Sequence, residues 1–189
     1  MHTQPFRYLD LDNDALIDTW KNTVPSFSDV FIKTDYNCSL VKENLLDFFV
    51  AHGLKPKLGH LWSWDPGMCP PYYHTDHKPQ LGVKPLEVAI NWLVYGDPGK
   101  TEWSYQALDY KIDMGEKTNP YKTPSQWWGN AKLAPDFSIQ LTKPMLLNIN
   151  VPHRVNTLDS TGFRISYSIR FQESPSFDEA CEKLKNFII

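Results

Sequence analysis

Residues 164–171 read Arg-Ile-Ser-Tyr-Ser-Ile-Arg-Phe, an unbroken alternation of polar and apolar side chains. Successive side chains of an extended chain point to opposite faces. The octet is therefore a strand with Arg164, Ser166, Ser168 and Arg170 on one face and Ile165, Tyr167, Ile169 and Phe171 on the other. A strand cannot stand alone, and the chain offers partners for it. Residues 58–64 alternate and are rich in aromatics. Residues 87–95 put Val88, Ile90, Trp92 and Val94 on one face, and residues 101–108 and 145–151 are also extended in character. Asp97-Pro98-Gly99 marks a turn.

Helical patterning is confined to the ends. Asp12-Asn13-Asp14 precedes Ala15, Leu16, Ile17 and Trp20, the pattern of a short capped helix. A longer helix is expected over 39–52, with Leu40, Val41, Leu45, Phe48 and Phe49 at helical spacing and Gly53 as its stop. Ser176-Phe177-Asp178-Glu179 is a capping-box pattern that opens a last helix, to about residue 186. Helices first, then strands, then one helix imply a mainly β fold with flanking helices: an antiparallel sandwich buttressed on one side. The jelly roll is one such solution, and periodicity does not select it. The 189 residues suit a single domain, with helical support over 1–57, a β core over 58–171 and a C-terminal helix over 172–189.

The net charge is −3, and no Lys/Arg run interleaves with the aromatics, so nothing points to a nucleic-acid backbone as partner. No apolar run approaches the roughly 20 residues of a membrane span, and the first residues lack a signal-peptide pattern. Cys38, Cys69 and Cys181 are odd in number and widely spaced, which favours reduced thiols and a cytoplasmic location.

Chemistry concentrates in two short segments. His74 is followed two residues later by Asp76, in Tyr73-His74-Thr75-Asp76. On an extended segment both side chains face the same way and could grip one ion. By itself the triplet is a weak signal, since chance supplies about 0.5 of them in a chain of this composition. The second segment strengthens it. Residues 145–151 lead into Pro152-His153, and eleven residues after His153 comes Arg164-Ile165-Ser166. Two imidazoles and a carboxylate form a facial metal triad with open positions opposite. A guanidinium fork beside a hydroxyl suits a small carboxylate. The plainer alternatives are a solvated loop histidine at His74 and a merely half-exposed strand at 164–171.

The order His-x-Asp, a distant His, then Arg-x-Ser resembles the iron(II)/2-oxoglutarate-dependent oxygenase superfamily. Residues 58–171 share its layout, and the short length is similar to prolyl-hydroxylase-like and aspartyl/asparaginyl-hydroxylase-like members. The resemblance implies a double-stranded β-helix (jelly-roll, cupin-like) core. It implies Fe(II) held by His74, Asp76 and His153, and 2-oxoglutarate anchored by Arg164 and Ser166. With O2, such an enzyme hydroxylates an amino-acid, peptidyl or other small substrate and releases succinate and CO2.

Asn91, mid-strand, could bond the cosubstrate or orient a ligand histidine, as could Asn148 and Asn150, for which a structural hydrogen bond is the plainer reading. Tyr73 and Tyr105 could line the pocket or simply pack. His60 reads as structural and His77 as an outer partner or exposed. Residues 110–133, with Trp127 and Trp128, could form a lid. Aromatics at Trp62, Trp64, Tyr72, Tyr73 and Trp103 could form an apolar mouth. Two other classes stay open: a cupin-like metal enzyme that does not use 2-oxoglutarate, and a non-catalytic jelly-roll binding domain.

Overall fold

Every extended segment anticipated above pairs with others into two antiparallel sheets. The computed structural model describes residues 3–17, 31–36, 38–76, 86–112, 126–129 and 133–189. Along the chain come β1 (Phe6–Tyr8), β2 (Phe31–Tyr36), helix α1 (Glu43–Ala51), β3 (Pro56–Trp64), β4 (Tyr72–Thr75) and β5 (Val88–Gly96). There follow β6 (Lys100–Trp103), a 3-10 turn (Gln106–Asp109), β7 (Lys111–Ile112), β8 (Gln126–Gly129) and β9 (Phe137–Ile139). Strands β10 (Met145–Asn148), β11 (His153–Asn156) and β12 (Arg164–Phe171) precede helix α2 (Phe177–Lys183) and a final 3-10 turn (Lys185–Phe187). The first sheet has the order β1-β10-β5-β12-β3-β2 and the second β7-β8-β4-β11-β6-β9.

The alternation in β12 explains the layering. Its apolar side chains join Leu61, Val88, Ile90, Trp92 and Leu146 on one face of the first sheet, and both helices cover that face through Leu45, Phe49, Phe177 and Ala180. Phe49 packs edge-on against Trp92 and Phe171, with ring centroids 6.1 and 5.5 Å apart. Each such large apolar side chain contributes roughly 1.5–3 kcal/mol on burial. A smaller apolar cluster of Phe6, Ala89, Met145 and Leu147 with Trp103 joins the opposite face of the first sheet to the second. Trp103 stacks on Phe6, centroids 5.3 Å apart, so it belongs to this core. All eight residues of β12 are buried, its polar face included. That face is not half-exposed; it looks into the space between the sheets.

Local chemistry sets the element ends. Gly53 has φ +67 and stops α1, as its position implied. The capping box at Ser176 forms: its hydroxyl accepts from Glu179 N, and the Glu179 carboxylate accepts from Ser176 N. Gly59 is required for a different reason. A Cβ there would fall 1.6 Å from the Tyr167 hydroxyl, so β3 passes beneath that side chain only without one.

Three expectations change. Residues 11–17 form no helix. Asp12 Oδ1 instead accepts from Asp14 N, both carboxylates hold Lys42 at 3.1 Å, and Leu16 bridges to Val41. These Asp side chains satisfy turn amides and a lysine rather than capping a helix. The strand expected over 101–108 ends at Trp103, where Ser104 N donates to Pro152 O and Tyr105 N to the Asp136 carboxylate. The strand expected over 145–151 ends at Asn148, whose Oδ1 accepts from Asn150 N in a tight turn. That bond is the structural reading of Asn148. Trp20, His77 and most of 110–133 lie outside the described residues. Among the described residues no helix is long and apolar enough to cross a membrane, and all three cysteines are free thiols.

Candidate metal centre

Strand pairing brings the two halves of the motif together. His153 on β11 is the direct register partner of His74 on β4. Directly opposite residues of an antiparallel pair project to the same face at short range, and the two rings are 4.6 Å apart, centroid to centroid. Asp76 lies just past the end of β4, where its backbone N–H donates to Ile149 O. Its Oδ1 is 3.3 Å from His74 Nε2 and 3.4 Å from His153 Nε2. The three ligand atoms all lie within 4.8 Å of one another.

These residues fit a divalent ion. His153 Nδ1 is 2.9 Å from Val151 O, a carbonyl that can only accept, so this nitrogen is the donor and Nε2 is the one turned to the cluster. Burial, and then the neighbouring His153, hold His74 below the ordinary imidazole value, so its ring is neutral as a ligand must be. Burial by itself would raise the Asp76 carboxyl. The Arg170 guanidinium, with both imidazoles, instead holds it well below the usual carboxylate range. Two imidazoles and one carboxylate could hold a metal ion with positions to spare.

The cluster opens onto a cavity between the sheets. The first sheet contributes Trp62, Trp64, Asn91, Leu147, Arg164, Ser166 and Arg170 to its walls, and the second Thr101 and Val155 beside the histidines. Arg164, 1% exposed, is reached by no carboxylate within ion-pair distance among the described residues. Its Nη2 donates to Thr101 Oγ1 at 3.2 Å and its Nη1 to Lys100 O at 3.5 Å, while the buried Nε has no partner among the described residues. Burial lowers Arg164 to about 10, partly countered by Asp97, so it remains a cation at neutral pH. Gly99, at φ +52, lies beside its stem and packs closely on the following turn: a Cβ there would fall 3.1 Å from Thr157 Cγ2 and 3.2 Å from Asn156 O.

Of the residues singled out from sequence, His74, Asp76, His153, Arg164, Ser166 and Asn91 meet at this cavity. Tyr73 does not. It alternates with His74 and so points away from the cavity, its ring 4.4 Å from the Arg154 guanidinium carbon and its hydroxyl donating to Leu133 O. On that outer face Arg154 is bound to Glu102 at 2.8 Å, and Glu102 also accepts from Asn156. Tyr105 donates to Thr3 O and lies outside the cavity lining. His60 is buried beside Trp62, 5.8 Å between rings, and is not part of the cluster.

Two participants escaped the sequence reading. Thr101 had no local signal. Arg170 had one, because it continues the polar face of β12, but nothing local said what it faces. Its Nη2 donates to Asp76 Oδ2 and its Nη1 to Ser168 Oγ, whose hydroxyl donates to Asn91 Oδ1. No protein-family model matches the chain, and a search of curated proteins finds no significant match.

Proposed function

We propose that the chain is an Fe(II)- and 2-oxoglutarate-dependent dioxygenase that hydroxylates an amino-acid, peptidyl or other small substrate. The observation that carries this reading is the buried Arg164, which no carboxylate among the described residues reaches within ion-pair distance and which lines the same cavity as the His74–Asp76–His153 cluster. A desolvated cation without an ion-pair partner is costly unless an anion is meant to join it. The cluster asks for a cation and Arg164 asks for a carboxylate, and a keto diacid that chelates at one end answers both.

A double-stranded β-helix core is part of the proposal. It is supported by the way β3, β4, β5 and β6, and later β9, β10, β11 and β12, are shared between two antiparallel sheets with the cavity between them.

Bound iron would supply the oxidative chemistry, in which 2-oxoglutarate, O2 and a substrate C–H become succinate, CO2 and a C–OH. The protein's share is positioning and exclusion of water. His74, Asp76 and His153 would hold the ion. Arg164, steadied by Thr101 and with the Ser166 hydroxyl on the same strand face, takes the far carboxylate of the cosubstrate. Trp62, Trp64, Leu147, Ile149 and Val155 give the cavity apolar walls that keep it dry.

The test is anaerobic titration of the Fe(II)-loaded protein with 2-oxoglutarate, followed by succinate measurement against amino acids, peptides and nucleosides. A weak visible chelate band that vanishes in Arg164→Leu, with substrate-dependent succinate, is the expected result. Metal binding with no response to 2-oxoglutarate would point to a cupin-like enzyme of another class. No metal binding at all would leave a non-catalytic binding domain.

A further inference from the structure

The two oxygens of Asp76 face different partners. Oδ1 is turned to both imidazoles, at 3.3 and 3.4 Å, and Oδ2 takes the Nη2 of Arg170. Arg170 is itself held: it is buried on β12, and its other amino group is tied through Ser168 to Asn91 on β5. Ser168 and Asn91 are register partners in the first sheet, so the tether is anchored to paired strands rather than to a loop. Rotating the Asp76 carboxylate to offer both oxygens to an ion would break its contact with the guanidinium and leave a buried cation without its anion, which is strongly unfavourable.

We infer that Arg170 is a positioning residue that confines Asp76 to one-oxygen coordination, keeping the neighbouring coordination position of the ion free for an incoming ligand. A carboxylate can hold a metal through one oxygen or both. Two-oxygen binding consumes a position that cosubstrate or oxygen would need. The inference rests on the metal-binding part of the proposed function and not on the identity of the cosubstrate.

The experiment uses the full chain loaded with Mn(II) in 17O-enriched water, with the metal-bound water oxygens counted by pulsed electron paramagnetic resonance. Arg170→Met removes the donors while keeping the bulk, and Arg170→Lys keeps one cationic donor. Wild type and Arg170→Lys are expected to give the same count, and Arg170→Met one water fewer. Ser168→Ala, which loosens the guanidinium without removing its charge, is expected to give a lower mean count than wild type, and it decides the question should Arg170→Met fail to fold. An unchanged count in folded Arg170→Met, or in Ser168→Ala where that variant decides, overturns the role of Arg170 and leaves the metal site standing. A wild-type chain that binds no Mn(II) and no Fe(II) overturns both.

Discussion

His74 and His153 stand directly opposite each other across the antiparallel β4–β11 pair, and both Nε2 atoms reach the same oxygen of Asp76. The ligand set is therefore a property of strand register. A slip of either strand by one residue would turn its own imidazole onto the far face of the sheet and separate the pair.

Removing either imidazole should abolish tight metal binding. His74→Ala and His153→Ala are each expected to weaken Fe(II) or Mn(II) by more than about 100-fold, beyond the 10–100-fold that losing an outer partner costs. Equilibrium dialysis of the folded variants measures this. Retention of wild-type affinity in His153→Ala would remove it from the site.

Arg164→Leu should separate binding from stability. It removes a desolvated cation with no carboxylate partner among the described residues. Replacing such a group by an apolar one is often neutral or stabilising by about 1–4 kcal/mol. The melting temperature without 2-oxoglutarate should hold or rise. Affinity for 2-oxoglutarate should drop by about 2–5 kcal/mol, or roughly 30-fold at the least. A variant that melts much earlier yet binds 2-oxoglutarate normally contradicts the assignment.

The pH dependence of the metal-free protein follows from the same cluster. Burial, then His153, keeps His74 below the ordinary 6.5, so at mildly acidic pH the unfolded chain binds a proton that the fold refuses. Stability should fall as pH drops through 6.5, by up to about 1.4 kcal/mol per unit. A second loss should follow below 3.8. Burial opposes ionisation of Asp76, but Arg170 and the imidazoles outweigh it and hold the folded carboxyl well under that value. Thermal melts of chelator-treated protein between about pH 8 and about pH 2 give the profile. His74→Leu should flatten its upper limb.

Glu102→Gln should destabilise the fold while sparing the metal. It strips the charge partner from buried Arg154 on the outer face of the second sheet, at a cost of about 3–5 kcal/mol. Denaturant melts should show the loss. Mn(II) affinity in the folded variant should stay within about threefold, since Glu102 touches no metal ligand.

Much of this was legible in the residues themselves. Alternation in residues 164–171 identified a two-faced strand, and the i, i+2 rule placed His74 and Asp76 together, because both follow from the pleat of a single extended segment. The same rule, applied to Tyr73, turns it away from the ion and against Arg154. The acidic run at residues 12–14 misled because a turn and a helix start use the same side-chain chemistry, and the choice fell to Lys42 and Val41, 25 to 30 positions away from their partners.

Local pattern dictated the strands, the stop at Gly53, the capping box at Ser176 and the residue types a metal and a dicarboxylate require. It could not dictate that β12 is buried on both faces, that His153 pairs with His74, or that Arg170 reaches Asp76, 94 positions back along the chain. Those facts depend on which strands become neighbours and in what register. That outcome is set by the packing of helices on one side of the first sheet and of the second sheet on the other, a sum over contacts distant in sequence that no short stretch of residues encodes.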